Sequence, residues 1–265
     1  MNSNVLIRAS SLGELFDCPA RWEAKHVLKM RMPTSGAARL GQAVHAGAAV
    51  FDQCAIDGTP LTPDEAAGAA VDVIYNRDED VDWDELTPRE AEKIALPLHR
   101  LYCETIAPRQ EYIAVEALCD NLAFSDIGIT LTGTVDRVRV AEEGLGIADI
   151  KTGKTAVDKS GKVKTQSHGA QLAVYELLAS RSLEQEITAP AQIIGLQTAK
   201  TAAGQRAGIG EVANARDILL DDGERPGLLR CAAKIIHSGD FYGNPRSSLC
   251  GPKYCPAHNV CKWRR

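Results

Sequence analysis

The apolar positions of this chain change their period near residue 110. Before it they recur three or four apart: Leu40, Val44 and Val50 fall near helical spacing within 36–56, and helices also fit 63–76 and 88–106. Gly58 ends the first of these, and the acidic stretch from Asn76 to Leu86 separates the other two. Upstream, Ser11 and Glu14 form a Ser-x-x-Glu capping pattern, so a short helix is expected to begin there and to stop near Pro19. Beyond residue 110, strands fit 111–119, 129–140 and 145–151, which are rich in Ile, Val and Thr and bounded by Gly and Asp. Residues 167–180 then read as a helix, 191–199 as a buried strand and 213–237 as helical, before an irregular, cysteine-bearing tail. A strand–helix–strand succession implies a right-handed crossover and a parallel pairing. The expectation is therefore an α/β fold: a central mixed sheet flanked by helices, a helical N-terminal region, a helical insertion at about 57–106 and a C-terminal cysteine loop. No internal repeat or low-complexity linker divides the chain, which predicts one domain over 1–265.

Composition narrows the class. No apolar run approaches the ~20 residues a membrane helix requires, and the N-terminus lacks a basic start followed by an apolar stretch. This predicts a cytoplasmic protein with no membrane partner. Cys54, Cys103, Cys119 and Cys231 stand singly in apolar contexts and read as buried free thiols rather than disulfide partners. The net charge of −5 is unexpected for a protein that binds nucleic acid, but it is unevenly spread. Residues 57–93 carry twelve acidic and three basic side chains, residues 225–265 eight basic and one acidic, and residues 151–166 five lysines and one aspartate. Basic charge thus gathers in two segments where a phosphate backbone could lie, although a basic tail is also an ordinary solubilising surface.

One of those segments follows the best candidate chemistry. In an extended strand Asp149 and Lys151 project to one side, about 6.5–7 Å apart. The Gly-rich, acidic turn before them places Asp136 on a neighbouring antiparallel strand. Two carboxylates and a lysine at the end of a hairpin can hold Mg²⁺ or Mn²⁺ and position a water for attack on a phosphodiester. Asp-x-Lys at a solvated strand end is also common without any such role. Glu116 is a single acid in an apolar strand and needs a cation, from the protein or a metal. His45 lies on a helix among small residues, as a packed core histidine would. Gln171 and Tyr175, four apart, share a helix face and could brace a site or contact DNA, or simply pack. Cys250, Cys255 and Cys261 crowd into an irregular tail and suggest metal ligation; Cys18, followed by Pro19, is the best candidate for a fourth ligand, with His258 the alternative for a Cys₃His zinc site.

Taken in order, these segments resemble the PD-(D/E)XK nuclease superfamily, in particular its RecB-type branch, which includes CRISPR-adaptation-type exonucleases and carries a four-cysteine iron–sulfur cluster. The resemblance runs from residues 10–27, with Cys18, through 40–50 with His45, 112–118 with Glu116, 131–138 with Asp136 and 147–154 with Asp149 and Lys151, to the Gln-x-x-x-Tyr pair Gln171 and Tyr175. One departure is visible: Cys250 and Cys255 enclose four residues, where the branch often has two. The resemblance implies a restriction-endonuclease-like core and a Mg²⁺- or Mn²⁺-dependent deoxyribonuclease, most simply an exonuclease, serving DNA recombination, repair or phage DNA processing in a bacterial or phage-infected host cell. It implies Asp136, Asp149, His45 and the Ile150 carbonyl as metal ligands, with Glu116, Lys151, Gln171 and Tyr175 completing the catalytic group. It further implies Cys18, Cys250, Cys255 and Cys261 as ligands of a [4Fe–4S] cluster in the chain ends 11–22 and 246–265. No helicase motif is present, so unwinding would come from a recombination or helicase partner. A non-catalytic DNA-binding or assembly module, and a zinc-stabilised nuclease lacking the cluster, are the competing readings.

Overall fold

The computed structural model describes residues 4–78, 80–83 and 86–264; Glu79, Asp84 and Glu85 of the acidic stretch, and Arg265 of the tail, lie outside these described residues. The chain runs β1 (Val5–Arg8), α1 (Ala9–Asp17), α2 (Pro19–His26), β2 (Thr34–Ser35), α3 (Gly36–Ile56), α4 (Pro63–Tyr75), β3 (Val81–Asp82) and α5 (Pro88–Thr105). It continues with β4 (Tyr112–Leu118), β5 (Leu122–Phe124), β6 (Ile129–Thr132), β7 (Thr134–Ala141), β8 (Gly144–Gly153), α6 (Gly169–Leu183), β9 (Ala191–Gln197), β10 (Arg206–Val212) and α7 (Leu228–Ser238).

Five strands form the central sheet in the order β10-β9-β8-β7-β4. β8 and β9 pair in parallel across the α6 crossover while the other neighbours are antiparallel, so the sheet is mixed as expected. Alternation along the strands loads both faces. Ile147 and Ile193 join α1, α6 and the small β1-β6-β5 sheet in one core, whereas Ala148, Ile150, Ile194 and Leu196 pack beneath α3, α4 and α5 in a second. The helices of the insertion start on Thr62 and Thr87, each with a complete capping box closed by Glu65 and Glu90.

Four expectations need correction. Helix α1 starts at Ala9, so Ser11 is inside it and donates to the Arg8 carbonyl at 2.9 Å, while Glu14 turns to Arg21 and Lys25. The strand expected over 129–140 is two strands in different sheets, divided at Gly133. A Cβ at Gly133 would lie 3.1–3.3 Å from Tyr175, Leu178 and Ala9, so close packing of α6 and α1 fixes the break there. Residues 206–212 form an edge strand whose glycines hid its pattern, and of 213–237 only the part from Leu228 is α-helical. Finally, Cys54 and Cys231 are half-buried, although Cys103 and Cys119 are buried as expected.

Candidate active site

Helix α3 packs on β4 and β8, and three donor side chains meet there. One ligand atom from each of His45, Glu116 and Asp136 lies within 4.8 Å of the others. His45 Nδ1 is 3.5 Å from Asp136 Oδ2, and the same oxygen accepts from the Ile150 N–H at 2.9 Å. Glu116 has φ +46, in the left-handed region, although it sits inside a strand. Such a conformation costs about 1–2 kcal/mol in a non-glycine residue and is characteristic of functional positions.

A second group lies alongside. Lys151 Nζ is 2.7 Å from Asp149 Oδ2, as two side chains on one strand face allow. Gln171 on α6 reaches Asp149 Oδ1 at 3.4 Å and donates to the Tyr175 hydroxyl at 3.0 Å, so the helix-face pair braces Asp149. Asp149 is buried; its Oδ1 accepts from Gln171, and its Oδ2, beside the Lys151 ammonium, is left without a hydrogen-bond partner. The geometry thus joins Glu116 to the metal-ligand set expected from the sequence, with Asp149 next to it.

Burial, then repulsion from Asp136, pushes the Asp149 carboxyl up to about 7 against the pull of Lys151. Burial and Asp136 also raise Glu116, which Arg137 opposes. Burial lowers the His45 imidazole despite Asp136, which favours the neutral ring a metal requires. Crowded acids that resist ionisation beside a neutral imidazole fit a divalent cation, because its charge would satisfy all three at once. Two carboxylates and an imidazole suit a divalent metal.

Arg137 and Asp52 were missed by the sequence reading. Arg137 is fully buried: its Nε donates to Asp52 Oδ2 at 2.7 Å, and its Nη1 donates to the Asp136 carbonyl at 2.7 Å and lies 3.5 Å from Glu116 Oε1. Tyr102 donates to the same Asp52 oxygen. The available signal was Asp52 itself, a carboxylate at helical spacing from Val44 and Ala48 on the buried face of α3.

The cysteines assemble in a separate group. Cys18 lies between α1 and α2, and its sulfur accepts from the Asn244 N–H at 3.4 Å. Cys18, Cys250, Cys255 and Cys261 line one cavity together with His258, whose Nδ1 is buried without a hydrogen-bond partner. All four are free thiols. Among the described residues, no three of these sulfur and ring-nitrogen atoms lie within 4.8 Å of one another. The tail is also held by protein contacts, with Ser247 donating to Asp17 Oδ2 at 2.7 Å and Asn244 Nδ2 to the Asp17 carbonyl at 2.9 Å.

A mixed sheet flanked by helices, with carboxylates and a lysine on adjacent strands and an imidazole facing them from α3, defines a restriction-endonuclease-like protein. The chain belongs to the PD-(D/E)XK nuclease superfamily, which it matches over residues 8–262. Members are typically metal-dependent nucleases, and a His/Glu/Asp group suited to such a metal is present here. The chain is also similar to the solved structure described as "Crystal structure of SSO0001", with 15% identity and a TM-score of 0.45, covering 100% of this chain and 89% of that one. No curated protein matches the sequence. No helix among the described residues is long and apolar enough to cross a membrane.

Proposed function

We propose that this chain is a Mg²⁺- or Mn²⁺-dependent DNA exonuclease of the RecB-type branch, acting in recombination, repair or phage DNA processing. The observation that carries this reading is the His45–Glu116–Asp136 donor group beside the Asp149–Lys151 pair. A divalent ion bound there would supply Lewis acidity and a water of lowered pKa. The Ile150 N–H fixes Asp136, Arg137 restrains Glu116, and Gln171 fixes Asp149. Lys151 places a positive charge beside the site, where it can orient the attacking water or stabilise negative charge developing on the phosphoryl oxygens. The Ile150 carbonyl is the remaining ligand candidate.

The cysteine cavity supports a structural [4Fe–4S] cluster in the same reading. Four thiols lining one cavity are the usual complement of such a cluster. The unpartnered Nδ1 of His258 favours the second reading, a zinc-stabilised nuclease. Metal analysis separates the two. Protein purified without oxygen should be brown, with about four irons per chain, whereas a colourless protein with one zinc refutes the cluster. Digestion of end-labelled linear and circular DNA with Mg²⁺ or Mn²⁺ tests the activity. Shortening of linear DNA alone supports an exonuclease, and nicked circles would show an endonuclease. Binding without cleavage in either metal would leave a non-catalytic DNA-binding or assembly module.

A further inference from the structure

After β8 the chain leaves the sheet at Gly153 and folds back as a hairpin. Val157 and Val163 bridge its arms, and Asp158 Oδ1 closes its tip by accepting from the N–H groups of Ser160 and Lys162 at 2.8 and 3.0 Å. This hairpin lies on a patch of the sheet where three positions carry no side chain. In register, Lys151 of β8 pairs with Gly195 of β9, and Gly195 with Gly208 of β10; one row along, Asp149 pairs with Ile193 and Ile193 with Gly210. A Cβ at Gly195 would lie 2.9 Å from Val157 and 3.0 Å from Val163. At Gly208 it would lie 3.0 Å from the Gly161 carbonyl and from Val163, and at Gly210 2.7 Å from Thr165. Three glycines weaken strands by roughly 0.5–1 kcal/mol each relative to alanine. Here they form a seat into which Val157 and Val163 sink until almost fully buried.

The seat fixes where the charge of the hairpin goes. Neighbouring strands are about 4.8 Å apart, so its first glycine stands one strand spacing from Lys151 and its second two. Lys159, Lys162 and Lys164 are exposed on the hairpin. His168, at the foot of the hairpin, is pushed down to about 4 by burial and by the charges of both Lys151 and Lys164, so the hairpin and the end of β8 act on the same ring.

We propose that residues 154–166 form a rigid rail for the phosphodiester backbone, with Lys159, Lys162 and Lys164 gripping successive phosphates of the single strand that enters or leaves the site at Lys151. The proposal rests on the nuclease reading above. It is tested by measuring the affinity of the full chain for a fluorescent single-stranded DNA oligonucleotide in EDTA across a range of salt, alongside cleavage by the wild type with Mg²⁺ or Mn²⁺. Each phosphate contact contributes roughly 0.7 to the slope of log affinity against log salt for single strands. The Lys159→Gln/Lys162→Gln/Lys164→Gln variant should therefore show a slope shallower by about 2. Gly208→Val keeps every lysine and suits a strand better than glycine does, but it must lift the hairpin, so its slope should flatten as well. If Gly208→Val proves unfolded in a thermal scan, the lysine variant, altered only at exposed positions, decides alone. Wild-type binding with an unchanged slope in the lysine variant overturns the rail and leaves the nuclease reading intact. A wild type that neither binds nor cuts the strand overturns both.

Discussion

Replacing Arg137 with Met leaves the Asp52 carboxylate, on α3, buried without its cation. The guanidinium has no exposure and the Asp52 side chain 2%, so water cannot take over the lost contacts at 2.7 Å to Asp52 and to the Asp136 carbonyl. Breaking a buried pair from one side costs about 3–5 kcal/mol, which for a domain of this size lowers Tm by on the order of 10 °C. The penalty should depend on pH with a definite sign. Burial raises the Asp52 pKa even with Arg137 and Tyr102 opposing it, and without Arg137 it must rise further. An acid whose folded pKa exceeds its unfolded value makes the protein more stable as pH falls through the folded pKa. The deficit of Arg137→Met relative to wild type should therefore be greatest at pH 7–8 and shrink towards pH 5. Asp52→Asn added to Arg137→Met should recover part of it at neutral pH. Urea unfolding of the wild type, the single variant and the double variant across this range measures each quantity. A deficit below about 1 kcal/mol, or one that does not vary with pH, would refute the buried-pair argument.

Asp136→Asn, His45→Ala or Lys151→Ala should each lower cleavage by a hundredfold or more with little change in Tm, since each removes a ligand or a charge stabiliser from the site; near-wild-type rates in the purified variants would remove the catalytic assignment. Because Asp149 is pushed up to about 7, its contribution should make metal-free protein lose stability as pH rises from about 4 to about 7 and level off above that. Mg²⁺ favours the carboxylate, so its thermal stabilisation should be larger at pH 8 than at pH 6; equal shifts at both pH values would argue against ionisation coupled to metal binding. Cys18→Ser should lose iron and colour and lower Tm, while the Ser247–Asp17 and Asn244–Asp17 bonds keep the tail docked and protected from protease at moderate temperature.

Much of this architecture could be read along the chain because it is local. The stripe of α3, the capping residues ahead of α4 and α5, the β7–β8 turn and the parallel β8–α6–β9 unit follow from period, caps and crossover geometry. So did the common face of Asp149 and Lys151, which needs nothing beyond strand alternation. Tertiary packing decided the rest. β6 and β7 part at Gly133 because α1 and α6 pack against it, and β10 is a strand because a hairpin needs its glycines bare. Glu116 reaches Asp136 through a left-handed φ that no propensity favours, and Arg137 finds its counter-ion on a helix 85 residues away in sequence. Sequence determines which side chains share a face. Which faces meet, and which charges must therefore be paired out of reach of water, is settled only when the helices close over the sheet.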